Sequence, residues 1–211
     1  MSTIKLKHSG GNSVSLNPPT SAPTSSEVAF KLPNADGSAN QLLKTDGSGN
    51  LGWISDVGLI KNWNYTTDNT HVTLQNAGDI YTQLNTAITP SSADSRIIII
   101  VNLGLVSSDN NADVGYDILR DSTALEQGQG ATVNSTAGAY MNITSGQAVP
   151  STTVIVDHPN TTSSVTYKVS ADQNSGRDMI INKRGSDTSL GVSSRMFLIE
   201  IGNKSWQQRL N

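Results

Sequence analysis

A chain of 211 residues with a formal net charge of -3 and no cysteine has room for one large domain, or for a domain of roughly 130 to 150 residues carrying an elaborated arm. The acidic balance argues against a phosphate-tracking nucleic-acid surface, and the lack of cysteine removes disulfides, thiolate metal sites and thiol nucleophiles together. The most apolar run, Ile97 to Val101, falls far short of the roughly 20 residues that a membrane helix needs, so no membrane insertion is expected.

Residues 1–32 read as an extended arm. Ser, Thr, Asn, Gly and Pro dominate the first fifty or so positions, which therefore cannot bury enough apolar surface to offset their own ordering. The segment STIKLKHS alternates, with Ile4 and Leu6 toward a partner and Lys5 and Lys7 toward water. The Pro-rich NPPTSAPTSSE then keeps the chain extended, and EVAFKL, Glu27 to Leu32, alternates again. Isolated β segments joined by such spacers suit an arm that adds strands to neighbouring subunits. The expected arm contacts are Ile4, Leu6, Val28 and Phe30.

Residues 33–62 form a turn-rich repeat and linker. Asp36-Gly37 and Asp46-Gly47 are tight-turn signals, and DGSANQLLKT followed by DGSGNLGWIS is a rudimentary ten-residue repeat. One copy cannot close a core, whereas three parallel chains can supply the missing faces. Trp53 ends this segment and Trp63 opens the next; both are read as packing anchors where arm meets head. Ser55 to Lys61 is the best helical candidate, of at most a turn or two.

Residues 63–211 carry the core. Candidate strands are Val72–Gln75, Tyr81–Thr89, Arg96–Val106, Val114–Arg120, Thr152–Asp157, Val165–Ala171, Asp178–Asn182 and Arg195–Ile201. Eight short strands divided by Gly, Asn, Asp or Pro turns indicate an antiparallel β-sandwich or jelly roll. RIIIIVNLGLV is apolar on both faces, so Ile98 and Ile100 are expected under a second cover, supplied by another subunit. In MFLIEI, the wholly apolar side carrying Phe197, Ile199 and Ile201 is expected to be core, with Met196, Leu198 and Glu200 on the other side.

Chemical motifs are sparse. His8, His71 and His158 are scattered without metal-ligand spacing, no Gly-x-Ser-x-Gly elbow exists, and GQGATVNSTAG lacks the lysine and helix of a phosphate loop. Asp109, Asp113, Asp117 and Asp121 recur every four residues but, on strand and turn, cannot share a face, and no paired-acid site is expected. Asp109, Asn110, Asn111 and Asp113 offer hard oxygen atoms that suit calcium, though a solvated turn is the simpler reading. Loops at one end of a rigid sandwich are where recognition belongs. Gln127, Gln129, Asn134, Tyr140 and Asn142, with Asp109 and Asn110, can face a ligand such as a surface glycan. Trp206 is read as a cap on the core.

The pattern of a short basic strand, a Pro/Ser/Thr spacer and LPNADGSANQLLKTDGSGNLGWI resembles the N-terminal regions of virion appendage proteins of tailed phages, especially those of marine cyanobacteria. SSADSRIIIIVNLGLV, VGYDILRDSTAL, DHPNTTSSVTYKVSA and MIINKRGSD likewise look like the β head of such proteins, similar to trimeric jelly rolls of the complement-C1q and tumour-necrosis-factor type. The resemblance implies a non-enzymatic structural component of a bacteriophage virion, homotrimeric, made in the host cytoplasm and docked on capsid, portal or tail proteins. A glycan-binding short fibre and a capsid decoration or cement protein are the alternatives. No cofactor and no nucleic-acid partner are expected.

Overall fold

The computed structural model describes residues 4–17, 19–24, 27–39, 41–54, 59–126, 140–173, 177–185, 187 and 190–202. The chain divides into two units, Met1–Val57 and Gly58–Asn211.

In the first unit, β1 (Ile4–Lys7) and β2 (Ser13–Leu16) form an antiparallel hairpin in which Ile4 faces Leu16 and Leu6 faces Val14. Side chains alternate across a strand, so these four share one face and Lys5, Lys7, Ser13 and Ser15 share the other. A second hairpin joins β3 (Leu42–Thr45) to β4 (Leu51–Ile54). Its turn is closed by Asp46, whose Oδ1 accepts the N–H groups of Ser48 and Asn50 at 2.8 and 3.1 Å while Oδ2 accepts from the Asn50 side chain at 2.6 Å. The two halves of the ten-residue repeat thus pair with each other. EVAFKL is not a strand; only Lys31 makes a bridge, parallel, to Asn50. No described residue of this unit is buried.

The second unit is all β. Its strands are β5 (Ile60–Asp68), β6 (Val72–Leu74), β7 (Thr86–Ile88), β8 (Arg96–Ser107), β9 (Ala112–Arg120), β10 (Thr123–Ala124), β11 (Met141–Ile143), β12 (Ala148–Asp157), β13 (Val165–Gln173), β14 (Met179–Ile181) and β15 (Ser194–Ile201). One sheet runs β5-β15-β8-β12, with β14 and β6 continuing along the β8 edge past the start of β15; the other runs β7-β13-β9, with β10 and β11 both flanking β9. β5 therefore pairs with β15, β7 with β13, β8 with β12, and β9 with β10 and β11, all antiparallel. First with last and second with next to last is one long hairpin rolled into two sheets, the layout of a jelly-roll sandwich.

The core lies between the sheets. Ile97, Ile99, Val101 and Leu103 of β8 have no exposed surface, and from the opposite sheet Val114, Tyr116, Ile118, Tyr167 and Val169 meet the same description. Most buried polar groups are bonded, as a low-dielectric interior requires; Thr86 Oγ1, Gln173 Oε1 and Glu200 Oε2 are exceptions among the described residues. The Tyr116 hydroxyl reaches Ser151 Oγ at 3.1 Å and Thr153 Oγ1 at 2.8 Å. Arg120 Nη1 meets both oxygens of Asp157 at 2.8 Å, and the Tyr167 hydroxyl donates to Asp157 Oδ2 at 2.7 Å. Both clusters tie one sheet to the other. A third joins Tyr81, Asp68, Asn182 and Ser194: Tyr81 donates to Asp68 at 2.5 Å, Asn182 Nδ2 to the Tyr81 hydroxyl at 2.9 Å, and Ser194 to Asn182 Oδ1 at 2.7 Å.

Three expectations are corrected. The core side of β15 is Met196, Leu198 and Glu200, all without exposed surface, whereas Phe197 and Ile199 point outward and only Ile201 of the expected trio is buried. Glu200 tolerates this because Oε1 accepts from Ser91 N–H, Ser91 Oγ and Ser95 Oγ at 2.6 to 2.7 Å. Tyr81–Thr89 is not one strand: Thr82–Leu84 is a 3-10 turn before β7. The helical candidate is displaced by β5, which claims residues 60 and 61; residues 55–58 lie outside the described residues.

Candidate interaction surface

The outward face of the β5-β15-β8-β12 sheet follows directly from its registers. One cross-strand row reads Trp63, Ile199, Ile98, Val156, and the next reads Tyr65, Phe197, Ile100, Val154. Eight consecutive outward positions are therefore aliphatic or aromatic. The central strands are half-buried by their neighbours, while at the flanks Trp63 is 62% exposed, Tyr65 50%, Val154 58% and Val156 52%. The rings stack on one another, Trp63 on Tyr65 at 5.9 Å between centroids and Tyr65 on Phe197 at 5.5 Å, with planes 19° and 16° apart. The next row, Thr67, Arg195, Asn102 and Thr152, is polar, and Asn102 donates to Thr152 at 2.7 Å. The other sheet turns Asp113, Asp117, Thr166, Lys168 and Asp172 outward, so the two outer faces differ in kind.

At the β5 flank, the side chains alternating with Trp63 and Tyr65 turn toward β7. Asn62 Nδ2, Asn64 Nδ2 and Thr66 Oγ1 donate to the carbonyls of Thr89, Ala87 and Asn85 at 3.4, 2.7 and 3.2 Å. The same asparagines accept, through Oδ1, the N–H groups of Trp63 and Tyr65 at 2.9 Å. Side chains thus join the two sheets where no backbone ladder does, and they occupy backbone donors of β5.

Ile98, Ile100, Phe197, Ile199 and Trp63 come together on this face, while Ile201 belongs to the interior. Val154, Val156 and Tyr65 complete it. The signal for the first two was the alternation in STTVIVD, a segment taken as a strand with neither face assigned. In the N-terminal unit, Trp53 lies against the backbone of Gly37, where a Cβ would come within 2.6 Å of the ring, and its indole N–H donates to the Ala35 carbonyl at 2.8 Å. Ile4, Leu6, Val28 and Phe30 are all exposed.

The loop residues separate. Asp109 and Asn110 sit in the turn between β8 and β9, where Asn110 Oδ1 accepts the Asn111 N–H at 3.0 Å. Burial, and then the charge of Asp109, push the Asp178 carboxyl up from its ordinary range. Tyr140 is 54% exposed and donates to Asp113 Oδ1 at 2.8 Å, which also accepts from Asn142 at 2.6 Å. That bond, ahead of burial, raises the Tyr140 hydroxyl. Asn111 Oδ1 accepts the Ser145 N–H at 2.7 Å. Asn110 Oδ1, Asn111 Oδ1 and Asp113 Oδ1, three of the oxygens considered for calcium, are thus engaged in bonds within the chain, and among the described residues no group of three or more His, Asp or Glu could hold a metal ion. Gln127, Gln129, Asn134 and Trp206 lie outside the described residues.

No family model and no curated protein matches the chain. Among solved structures it is similar to chains of infectious bursal disease virus. These are the Gx strain (TM-score 0.37, 13% identity, 76% of this chain and 45% of that one), the Gt strain (0.38, 12%, 86% and 47%) and the T13 viral particle of the same virus (0.35, 11%, 72% and 38%). The chain spans less than half the length of these proteins. At these scores the likeness carries no functional argument. It does name virus particles, and the expected resemblance to tailed-phage and cyanophage appendages, with the tail-fibre role attached to it, is overturned. The physical reason is in the motif itself: LPNADGSANQLLKTDGSGNLGWI is spent on a bridge, an Asx-closed turn and a hairpin, which any lineage builds from Asp, Gly, Asn and Ser.

Proposed function

We propose that this chain is a non-enzymatic structural subunit of a virus particle, carried at the capsid surface, and that copies of it assemble as a trimer through the outer face of the β5-β15-β8-β12 sheet. The observation that carries the proposal is the double row of eight apolar side chains on an otherwise closed sandwich. Apolar patches rimmed by polar residues mark interaction sites. Four strands spaced about 4.8 Å apart, with side-chain rows about 7 Å apart, give a patch of roughly 270 Å². A lone pairwise interface buries about 800 Å² per partner, so two copies meeting by this patch alone would fall short. In a closed ring each subunit contributes two surfaces, so the sandwich edges beside this patch must supply the rest of the buried area. The rings stack on each other beside a continuous aliphatic row, and that aliphatic half favours a packed protein partner over a sugar or a base.

The second reading is a glycan-facing loop, favoured by the exposed Tyr140 ring that Asp113 holds in place. One experiment separates the two. Light-scattering mass of the wild type at tens of micromolar is expected to give three chains, and the W63S/Y65S double variant one chain that keeps its β circular dichroism and whose Tm no longer depends on concentration. A trimer indifferent to the double variant would refute the proposal. A monomeric wild type that binds immobilised glycans through Tyr140 would turn it to the second reading.

A further inference from the structure

The double apolar row of the outer sheet face is bordered by charge of one sign. Arg195 lies on β15 two residues before Phe197, about 7 Å along the strand, and faces outward between Thr67 and Asn102. At the other end Arg96 precedes Ile98 on β8. Arg195 is exposed, and its guanidinium has no hydrogen-bond or ion-pair partner among the described residues. The carboxylates of this sheet, Asp68, Asp157 and Glu200, all turn inward and are bonded there, to Tyr81, to Arg120 and to Ser95 among others. We propose that Arg195 determines which surface this face accepts, and that it takes a carboxylate from a different surface of the neighbouring copy. The inference rests on the trimer proposed above and names what its interface selects.

The apolar patch, roughly 270 Å², is about a third of the area that a stable interface buries per partner, so a cover centred on it extends over the adjoining row of Thr67, Arg195, Asn102 and Thr152. In that row Asn102 is already bonded to Thr152, whereas the N–H donors of Arg195 would lose water without replacement. A planar guanidinium fork matches a carboxylate in both charge and geometry. A second copy cannot supply that carboxylate from the same face, which has none at any outward position of β5, β15, β8 or β12. Two such faces would instead bring arginine toward arginine. Nor does the outer face of the other sheet serve, although Asp113, Asp117 and Asp172 are there. It lies at the back of the sandwich, and front-to-back contacts repeat as an open row rather than closing at three. The sandwich margin remains, where Asp94, Asp109 and Asp121 stand exposed in the turns flanking β8 and β9.

Three variants of the full-length chain, Arg195→Lys, Arg195→Gln and Arg195→Glu, test this by light scattering over a concentration series, with circular dichroism checking that each is folded. The concentration at which half of the chains are assembled is expected to rise in the order wild type, Arg195→Lys, Arg195→Gln, Arg195→Glu. The rise is roughly tenfold for Arg195→Gln and roughly a hundredfold for Arg195→Glu. Raising salt from about 0.1 to 0.5 M should weaken the wild-type trimer and leave that of Arg195→Gln nearly unchanged. A guanidinium that stays in water at the rim gives one midpoint for all four chains. A self-facing contact gives tighter assembly for Arg195→Gln and Arg195→Glu, because neutralising or reversing the charge relieves repulsion. Either result overturns the proposal while the wild type still assembles. A wild type that is monomeric throughout overturns the trimer itself and this role of Arg195 with it.

Discussion

Glu200 sits on the core face of β15 with a single carboxylate oxygen doing all the bonding: Oε1 takes three donors from the Ser91–Ser95 segment, and Oε2 has no partner among the described residues. The bonds span more than a hundred positions of sequence, so they fasten the β7–β8 connection to the last strand. Glu200→Ala strands the buried Ser95 hydroxyl and releases the N–H and hydroxyl of the exposed Ser91, and is expected to cost about 2 kcal/mol. Glu200→Gln keeps an acceptor of the same shape and should lose less than half as much. Denaturant midpoints of the two variants decide it; equal losses would mean that packing volume, and not the three bonds, is what matters. This residue also shows why the β15 faces were inverted in the sequence. In MFLIEI a glutamate marks a strand face as wet unless its partners are known, and these partners are serines distant in the chain.

β5 was invisible for a related reason. Its inward positions are Asn62, Asn64 and Thr66 and its outward ones Trp63 and Tyr65, the reverse of what alternation is normally taken to mean. The strand belongs where it is because asparagine can donate to a β7 carbonyl and accept a β5 N–H at once. Asn64→Ala removes the shorter of the two amide contacts, 2.7 against 3.4 Å, and is expected to destabilise the head by about 1 to 2 kcal/mol, with Asn62→Ala milder. Chemical unfolding of the two variants checks the order, and a reversed order would refute the side-chain ladder. β8 was legible because five apolar residues in succession leave no wet face. What it packs against on the outer side was not, since that depends on strands brought beside it from residues 60–68, 148–157 and 194–201.

For the molecule as a whole, the titrating groups predict how stability bends with pH. Burial first, then hydrogen bonds to Asp68 and Asp157, raise the hydroxyls of Tyr81 and Tyr167 well above the ordinary 10.0, and burial raises Tyr116. A raised folded value means stability fully present below the unfolded pKa and lost as pH climbs through the folded one. Asp68 runs the other way: burial pushes it up, but bonds from Thr70 and Tyr81 and from the Thr70 and Asn69 backbones outweigh it and hold it below 3.8. Its contribution is present above the unfolded value and lost as pH falls through the folded one. The unfolding free energy should therefore be flat between about pH 5 and 9 and decline on both sides. Phenolate absorbance of the buried tyrosines should grow only together with loss of the β circular dichroism signal. Full ionisation of all five tyrosines near pH 10 in a folded protein would contradict this.

The sandwich class was written in the spacing of turns and alternating strands, which local chemistry dictates; the lineage was not, because turn chemistry is common property.

The asparagines of β5 have one more consequence. A strand margin that leaves donors open is a template on which chains add without end, and β5 has filled two of those donors, at Trp63 and Tyr65, from its own side chains. With those two donors filled, backbone pairing at that margin is disfavoured and the exposed aromatic side chains are what it presents. The sheet thereby keeps an apolar face open while closing the edge along which strands would otherwise add and seed fibrils.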